Sequence, residues 1–325
     1  MPNAPLDLSH THFDFQPARV PTFYFVGMTT AKSSIMRVFP AWARHLGLGD
    51  VPIRGIDCRW HDDPAVYREV VSFLKRDPLS LGGLVTTHKL DLLSAARDLF
   101  EELDPYARRL GEASCISKLG GRLRAHAKDP LTSGLSLQAI VPDDYWAKTG
   151  AHRFLIGAGG SSLALTVFLM EKPASARPAR IVVSNRSAHR LEEMRRVHAG
   201  ANTGIAMEYV LAPDAKENDA VLKSLPPGSV VANATGLGKD APGSPLTGAA
   251  LFPERGIAWD FNYRGSLVFL DQARAQQAAR RLRVEDGWVY FIHGWTRVIA
   301  EVFHIDIPTS GPAFDRLCEI AAQER

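Results

Sequence analysis

The residues best able to do chemistry stand at the ends of apolar runs. In SLGGLVTTHKLDLL, residues 80 to 93, such a run passes through Thr86, Thr87 and His88 to Lys89 and then into a helical pattern. A lysine there is either a solvated charge at a helix start or a reactive group presented at a cleft. In FLIGAGGSSLAL an apolar run ends in Gly157, Ala158, Gly159 and Gly160, and Ser161 leads into an apolar helix. Glycines let the backbone turn sharply against a diphosphate, and the helix start offers unpaired N–H groups and the positive end of its dipole. The third glycine of the full dinucleotide pattern is replaced by Ser162, so a helix merely packed close on a strand would also suit the stretch.

The next strand pattern, ARIVVSNRS, ends in Asn185, Arg186 and Ser187, where an NAD-binding protein usually carries an acid for the ribose hydroxyls. Arg186 offers a fork of donors for a 2′-phosphate, and Arg190 adds charge one helical turn on, so the implied cofactor is NADP. Cations at a helix start oppose the dipole, which argues against a merely solvated role. Two further apolar runs end in Asn233, Ala234 and Thr235 and in DFNY, with Asp260 and Tyr263. Ligands bind beyond the carboxyl ends of parallel strands, so these turns are expected to face the same cofactor. Lys32, Ser33 and Ser34 follow the first strand pattern. They could bind a carboxylate, or a serine could simply cap the helix.

Such residues need elements that hold them. From Pro21, short β-branched and aromatic runs alternate with helical spacing over roughly the first 110 residues, which favours a mostly parallel sheet. A second alternating series starts at RFLIGAGG, and the apolar tail GWVYFIHGWTRVIAEVFHI reads as a helix packed back on a domain. The fold class expected is α/β with two domains. Residues 1–20 form a peripheral or poorly ordered arm, 21–130 completed by 287–325 a substrate domain, and 131–286 a Rossmann-type NADP-binding domain.

With 325 residues and 46% hydrophobic content the chain can bury two cores. A net charge of +3 without basic blocks points away from nucleic acid and from acidic membrane surfaces, toward a small-molecule substrate. Cys58, Cys115 and Cys318 are too few and too scattered for a disulfide framework or a metal site, which fits a reducing cytoplasm. No apolar run approaches a membrane span, and a homodimer is compatible with this organisation.

The motifs KSS, LVTTHK, RAHAKD, GAGG, NRS, NAT, DFNY and FIHG, in this order, resemble those of the shikimate dehydrogenase family from about Phe23 to Ile307. The resemblance implies an NADP-dependent dehydrogenase in which Lys89 is the general acid/base and Asp129 its partner. Asp129 precedes Pro130 and could otherwise be a turn or cap residue. The resemblance also implies that Ser33, Ser34, Thr86, Thr87, Ser114, Tyr263 and His293 line the substrate site. The family's hydroxyl-binding amides are replaced here by Leu84 or Gly83, by Ser114 with Cys115, and by Ala127 with Lys128. A pocket that selects ring hydroxyls needs those groups, so the expected substrate is a related acid other than shikimate. Genuine shikimate or quinate oxidation, a noncatalytic NADP sensor and a methyltransferase are the competing readings.

Overall fold

The structure, a computed structural model, describes residues 13–201, 203–239 and 241–325; most of the expected arm, residues 1–12, lies outside them. Contacts divide the chain into a first unit, running to Lys128 and resuming at Trp295–Arg325, and a second unit, Asp129–Gly294. Asp129, Pro130 and residues 287–294 thus fall in the second unit rather than with the substrate domain.

The first unit alternates β1 (Thr22–Gly27), α1 (Ile35–His45), β2 (Ile53–Asp57), α2 (Pro64–Arg76), β3 (Ser80–Val85) and α3 (Lys89–Ala96). It continues with β4 (Glu102–Leu103), α4 (Pro105–Leu110), β5 (Cys115–Leu119) and β6 (Arg122–His126). Its six-stranded sheet has the order β2-β1-β3-β5-β6-β4. The pairs β2-β1, β1-β3 and β6-β4 are parallel, whereas β3-β5 and β5-β6 are antiparallel. The antiparallel insert comes from Gly120 and Gly121, both at positive φ (57° and 78°), which turn the chain tightly between β5 and β6.

In the second unit come α5 (Asp129–Ile140), α6 (Tyr145–Thr149), β7 (Arg153–Ile156), α7 (Gly160–Glu171), β8 (Arg180–Asn185), α8 (Ala188–His198) and β9 (Ala206–Leu211). After them follow α9 (Ala215–Ser224), β10 (Val230–Asn233), β11 (Ile257–Asp260), α10 (Val268–Arg274), α11 (Gln277–Arg280) and β12 (Arg283–Glu285). The sheet, β12-β11-β10-β7-β8-β9, is parallel throughout. This is the doubly wound dinucleotide-binding order, with its switch point between β7 and β10. Apolar cores cover both faces, one around Leu155, Leu165 and Trp259 and the other around Phe154, Val231 and Phe269.

Helix α12 (Trp288–Phe303) begins in the second unit and ends in the first, and α13 (Pro312–Gln323) follows it. Within the first unit, Trp295 packs edge-on against Phe23 and Phe25, and the Trp42 indole N–H donates to the Leu317 carbonyl at 2.9 Å. Glu301 accepts from Lys128 at 2.6 Å. The expected return of the tail to the first domain is therefore realised by Trp295 and α13. The described end of the arm is also pinned, since Phe15 stacks on Phe73 at 4.2 Å and the Ala18 N–H donates to Asp77.

Candidate functional site

In the first unit, Lys89 is the first residue of α3, and the turn before it is strained. Thr87 has φ 61°, a left-handed conformation that a β-branched residue rarely adopts. The His88 N–H closes the turn by donating to the Thr86 carbonyl at 2.5 Å, while the Thr86 N–H donates to Val26 of β1. His88 is buried, and its Nδ1 meets the Tyr67 hydroxyl at 3.1 Å. Burial pushes the His88 pKa down, opposed by the carbonyls of Gly27 and Cys58, so the imidazole is neutral at pH 7. The Ala113 N–H donates to the Lys89 carbonyl at 3.0 Å, fixing the backbone from the other side. Strained backbone of this kind collects at functional sites, where surrounding bonds hold it.

Ser33 and Ser34 precede α1, and Ser34 occupies the N-cap position without a side-chain capping bond. Capping therefore does not explain these serines. Ser114 has a different fate: it is buried, accepts from the Lys128 N–H at 2.7 Å and lies 3.4 Å from the His126 carbonyl, so its hydroxyl organises the chain where β5 and β6 meet.

In the second unit, the Gly157 turn fits a diphosphate. Gly157 has φ 106°, and a Cβ there would meet the Ala234 carbonyl oxygen at 3.0 Å, so only glycine is comfortable. Beyond Gly159, by contrast, the space is open. Ser162, the residue in place of the third glycine, is fully buried and donates to the Gly157 carbonyl at 2.5 Å, clamping the loop to the first turn of α7. The Gly157 N–H donates to Ser184, and the Ala158 N–H to Asn185 Oδ1 at 3.3 Å. Asn185 also donates to Ser187, so its amide braces the turn. Arg186 is exposed at the end of β8, whereas Arg190 is paired with Glu193 at 2.9 Å. Gly160 and Ser161 open α7, whose first backbone N–H groups have no partner within the helix.

Asn233 and Asp260, at adjacent strand ends of β10 and β11, form a buried network. Asn233 Nδ2 donates to Asp260 at 3.0 Å, Asn262 N–H donates to Asp260 at 2.9 Å, and Thr235 donates to Asn233 Oδ1 through both N–H and hydroxyl. These bonds shape the loop carrying Ala234 and Thr235. Burial pushes the Asp260 pKa up to about 6, against the hydrogen bonds it accepts. The sequence suggests a binding role for Asn233; its bond to the N–H two residues on is an Asx-type turn, the local signal for a bracing role. Tyr263 lies in an aromatic group, 5.3 Å from the Trp288 ring and 4.8 Å from Phe291. His293 is buried on α12, and Asp129 opens α5, with Ser133 donating to its carbonyl. Among the described residues, no group of His, Cys, Asp and Glu could hold a metal ion, and no helix is long and apolar enough to cross a membrane.

These features define a two-unit α/β protein with a dinucleotide turn in one unit and a lysine on a strained turn in the other. No protein-family model matches the chain. It is 30% identical over 166 residues to the NADP(+) shikimate dehydrogenase of Symbiobacterium thermophilum, covering 50% of this chain and 52% of that protein. The match thus spans about half the length of that relative. It is 27% identical over 270 residues to the corresponding protein of Rhodopseudomonas palustris, covering 82% of this chain and 85% of that one. The fold matches the crystal structure of shikimate dehydrogenase from Aquifex aeolicus with a TM-score of 0.71 at 16% identity, over 95% of this chain and 100% of that chain. In sequence the chain is thus similar to NADP(+) shikimate dehydrogenases, and in fold to a solved shikimate dehydrogenase.

Proposed function

We propose that this protein is an NADP-dependent oxidoreductase that reversibly transfers a hydride between NADP(H) and a hydroxyl or carbonyl of a small carboxylated substrate other than shikimate. The observation that carries the reading is the strained Thr87 turn that starts α3 at Lys89. Lys89 takes and returns the hydroxyl proton, and Asp129 orients it, in the roles the family resemblance implies. NADP(H) supplies or accepts the hydride when bound. The open space at Gly159, the N–H groups of the first turn of α7 and exposed Arg186 suit its diphosphate and 2′-phosphate. Ser33 and Ser34, with their hydroxyls not used as caps, and exposed Lys32 suit the substrate carboxylate.

The claim of an altered substrate rests on positions that cannot present amides. A side chain at Gly83 would put its Cβ 2.5 Å from the Tyr24 carbonyl, Cys115 and Ala127 are buried, and the Ser114 hydroxyl is engaged. Gly83, Cys115 and Ala127 offer no side-chain amide to a ring hydroxyl, so a polyhydroxylated ligand would gain less there.

The test follows NADPH absorbance with shikimate, quinate and other hydroxy acids, in the parent and in Lys89→Ala. Lys89→Ala is expected to lower kcat about a thousandfold while NADPH affinity stays within about threefold, the size of a general acid/base contribution. Unchanged turnover would refute the role of Lys89, and turnover of shikimate at biosynthetic efficiency would refute the altered substrate. A variant identical to the parent because neither turns over any acid would favour a sensor. Cytoplasmic residence and a homodimer complete the proposal, the latter checked by light scattering of the purified protein.

A further inference from the structure

Strands β2, β1 and β3 lie side by side and parallel, so their carboxyl ends share one edge of the first unit, the edge that carries the Lys89 turn. Large apolar side chains are exposed there after each strand: Met28 directly after β1 (40%), Trp60 after β2 (62%) and Leu90 beside Lys89 after β3 (46%). Scattered single exposures are ordinary, but one at each of three adjacent strand ends is a patch. With strands about 4.8 Å apart, it spans on the order of 10 Å, the size of a small ring acid.

The loop that carries Trp60 is braced. The Arg59 N–H donates to Asp62 at 2.9 Å, and the Asp62 N–H donates to the Tyr67 hydroxyl at 3.0 Å. His61 has φ 50°, left-handed for a non-glycine residue, and its Nδ1 meets Asp91 of α3 at 2.8 Å. The Tyr67 hydroxyl that anchors this loop is also the one that meets His88, the residue before Lys89. One hydroxyl thus holds both the indole loop and the lysine turn. A costly backbone conformation that keeps a tryptophan in water is explained if the indole meets a ligand. Exposed Lys32 and Arg59, in the links after β1 and β2, add positive charge to the same edge.

We propose that Trp60, with Met28 and Leu90, is the specificity-determining surface of this site, and that the substrate is a carboxylic acid whose body is a sparsely hydroxylated ring. The acid group meets the cationic and hydroxyl-bearing links, and the ring's apolar face lies on the indole. This inference rests on the oxidoreductase reading and names the substrate class that reading leaves open.

The experiment measures NADP-dependent oxidation of 3-hydroxycyclohexane-1-carboxylate and of shikimate by the parent, Trp60→Ala and Trp60→Phe. Each acid is also titrated against tryptophan fluorescence without cofactor. The parent is expected to favour the sparsely hydroxylated acid about tenfold or more in kcat/KM. Trp60→Ala should raise its KM about tenfold with kcat within about threefold, and Trp60→Phe should restore most of the loss. A Trp60→Ala variant with KM within about twofold of the parent, or a parent that prefers shikimate, overturns the proposal. If NADPH binds but neither acid is oxidised, the oxidoreductase reading fails, and fluorescence decides the inference separately. Quenching by the cyclohexane acid that disappears in Trp60→Phe supports it, and no quenching in the parent overturns it.

Discussion

Asp260 shows what a single buried side chain does to this molecule. Its carboxyl is held up to about 6, chiefly by burial, against an ordinary value of 3.8. The folded chain therefore keeps a proton that the unfolded chain releases. The contribution of Asp260 to stability is full below the unfolded value and is lost as the pH rises through about 6. The free-energy difference between the parent and Asp260→Asn in urea should accordingly be larger at pH 5 than at pH 8, by on the order of 1–3 kcal/mol. A difference that does not move with pH would show that Asp260 is not protonated in this range. Candidate site residues stand out in the sequence where a residue type implies one job: Lys89 at a strand end, the glycines at 157, 159 and 160, and Arg186 in place of an acid. The bracing bonds of Ser114, Asn185 and Asn233 were not legible, because a polar side chain at a loop reads the same whether it faces a ligand or braces the loop. Ser114 and Asn185 bond backbone groups that only the folded chain brings near, whereas Asn233 bonds the N–H of Thr235, two residues on. Ser162 looked like a flaw in the dinucleotide pattern, yet its hydroxyl closes onto Gly157.

At the scale of the element, the turn from β3 to α3 is the part most at odds with local preference. Thr87 at φ 61° costs about 1–3 kcal/mol relative to an unstrained residue. Thr87→Gly should raise the urea unfolding free energy by about 1 kcal/mol and lower kcat, because the lysine turn then loses its stiffness. A variant with both quantities unchanged would remove the turn from the argument. Strand β7 holds a second tension. Arg153 is fully buried, no hydrogen-bond partner meets its guanidinium among the described residues, and it lies 5.2 Å from the centre of the Trp259 ring. Burial alone pushes its pKa down to about 9. Replacing a poorly compensated buried charge with an apolar chain of similar length stabilises, so Arg153→Met should gain about 1 kcal/mol in the same urea measurement. A loss of stability would mean that the cation–ring contact outweighs desolvation. The alternation of strands and helices was readable from apolar spacing. The β5–β6 hairpin was not singled out, although Gly120 and Gly121 stand between its two strands. It is the reason the first sheet is mixed where the second is parallel.

For the whole molecule, cofactor choice is the measurable consequence of the second unit. Because a ligand that binds only the folded chain raises its unfolding temperature, NADPH at about a hundred times its dissociation constant should add about 2.7 kcal/mol. NADH at equal concentration should shift the midpoint less, and Arg186→Asp should narrow the gap between the two cofactors. Equal shifts by both cofactors in the parent would contradict the NADP assignment drawn from Arg186. The division into two units was legible in its order but not in its second boundary. A continuous helix such as α12 carries no break in its apolar spacing between Gly294 and Trp295, where the division falls.

That division also orders events during synthesis. Phe23 and Phe25 leave the ribosome well before Trp295, which covers them, and Leu317, which receives the Trp42 indole N–H. At roughly 5–20 residues per second, the first sheet waits on the order of tens of seconds with that aromatic face uncovered, while the whole second unit is already made. A nascent chain arrested before Trp295 would therefore be the form that holdase chaperones engage. Cellular yield of this protein should depend more on translation speed and chaperone supply than the equilibrium stability of the finished fold would suggest.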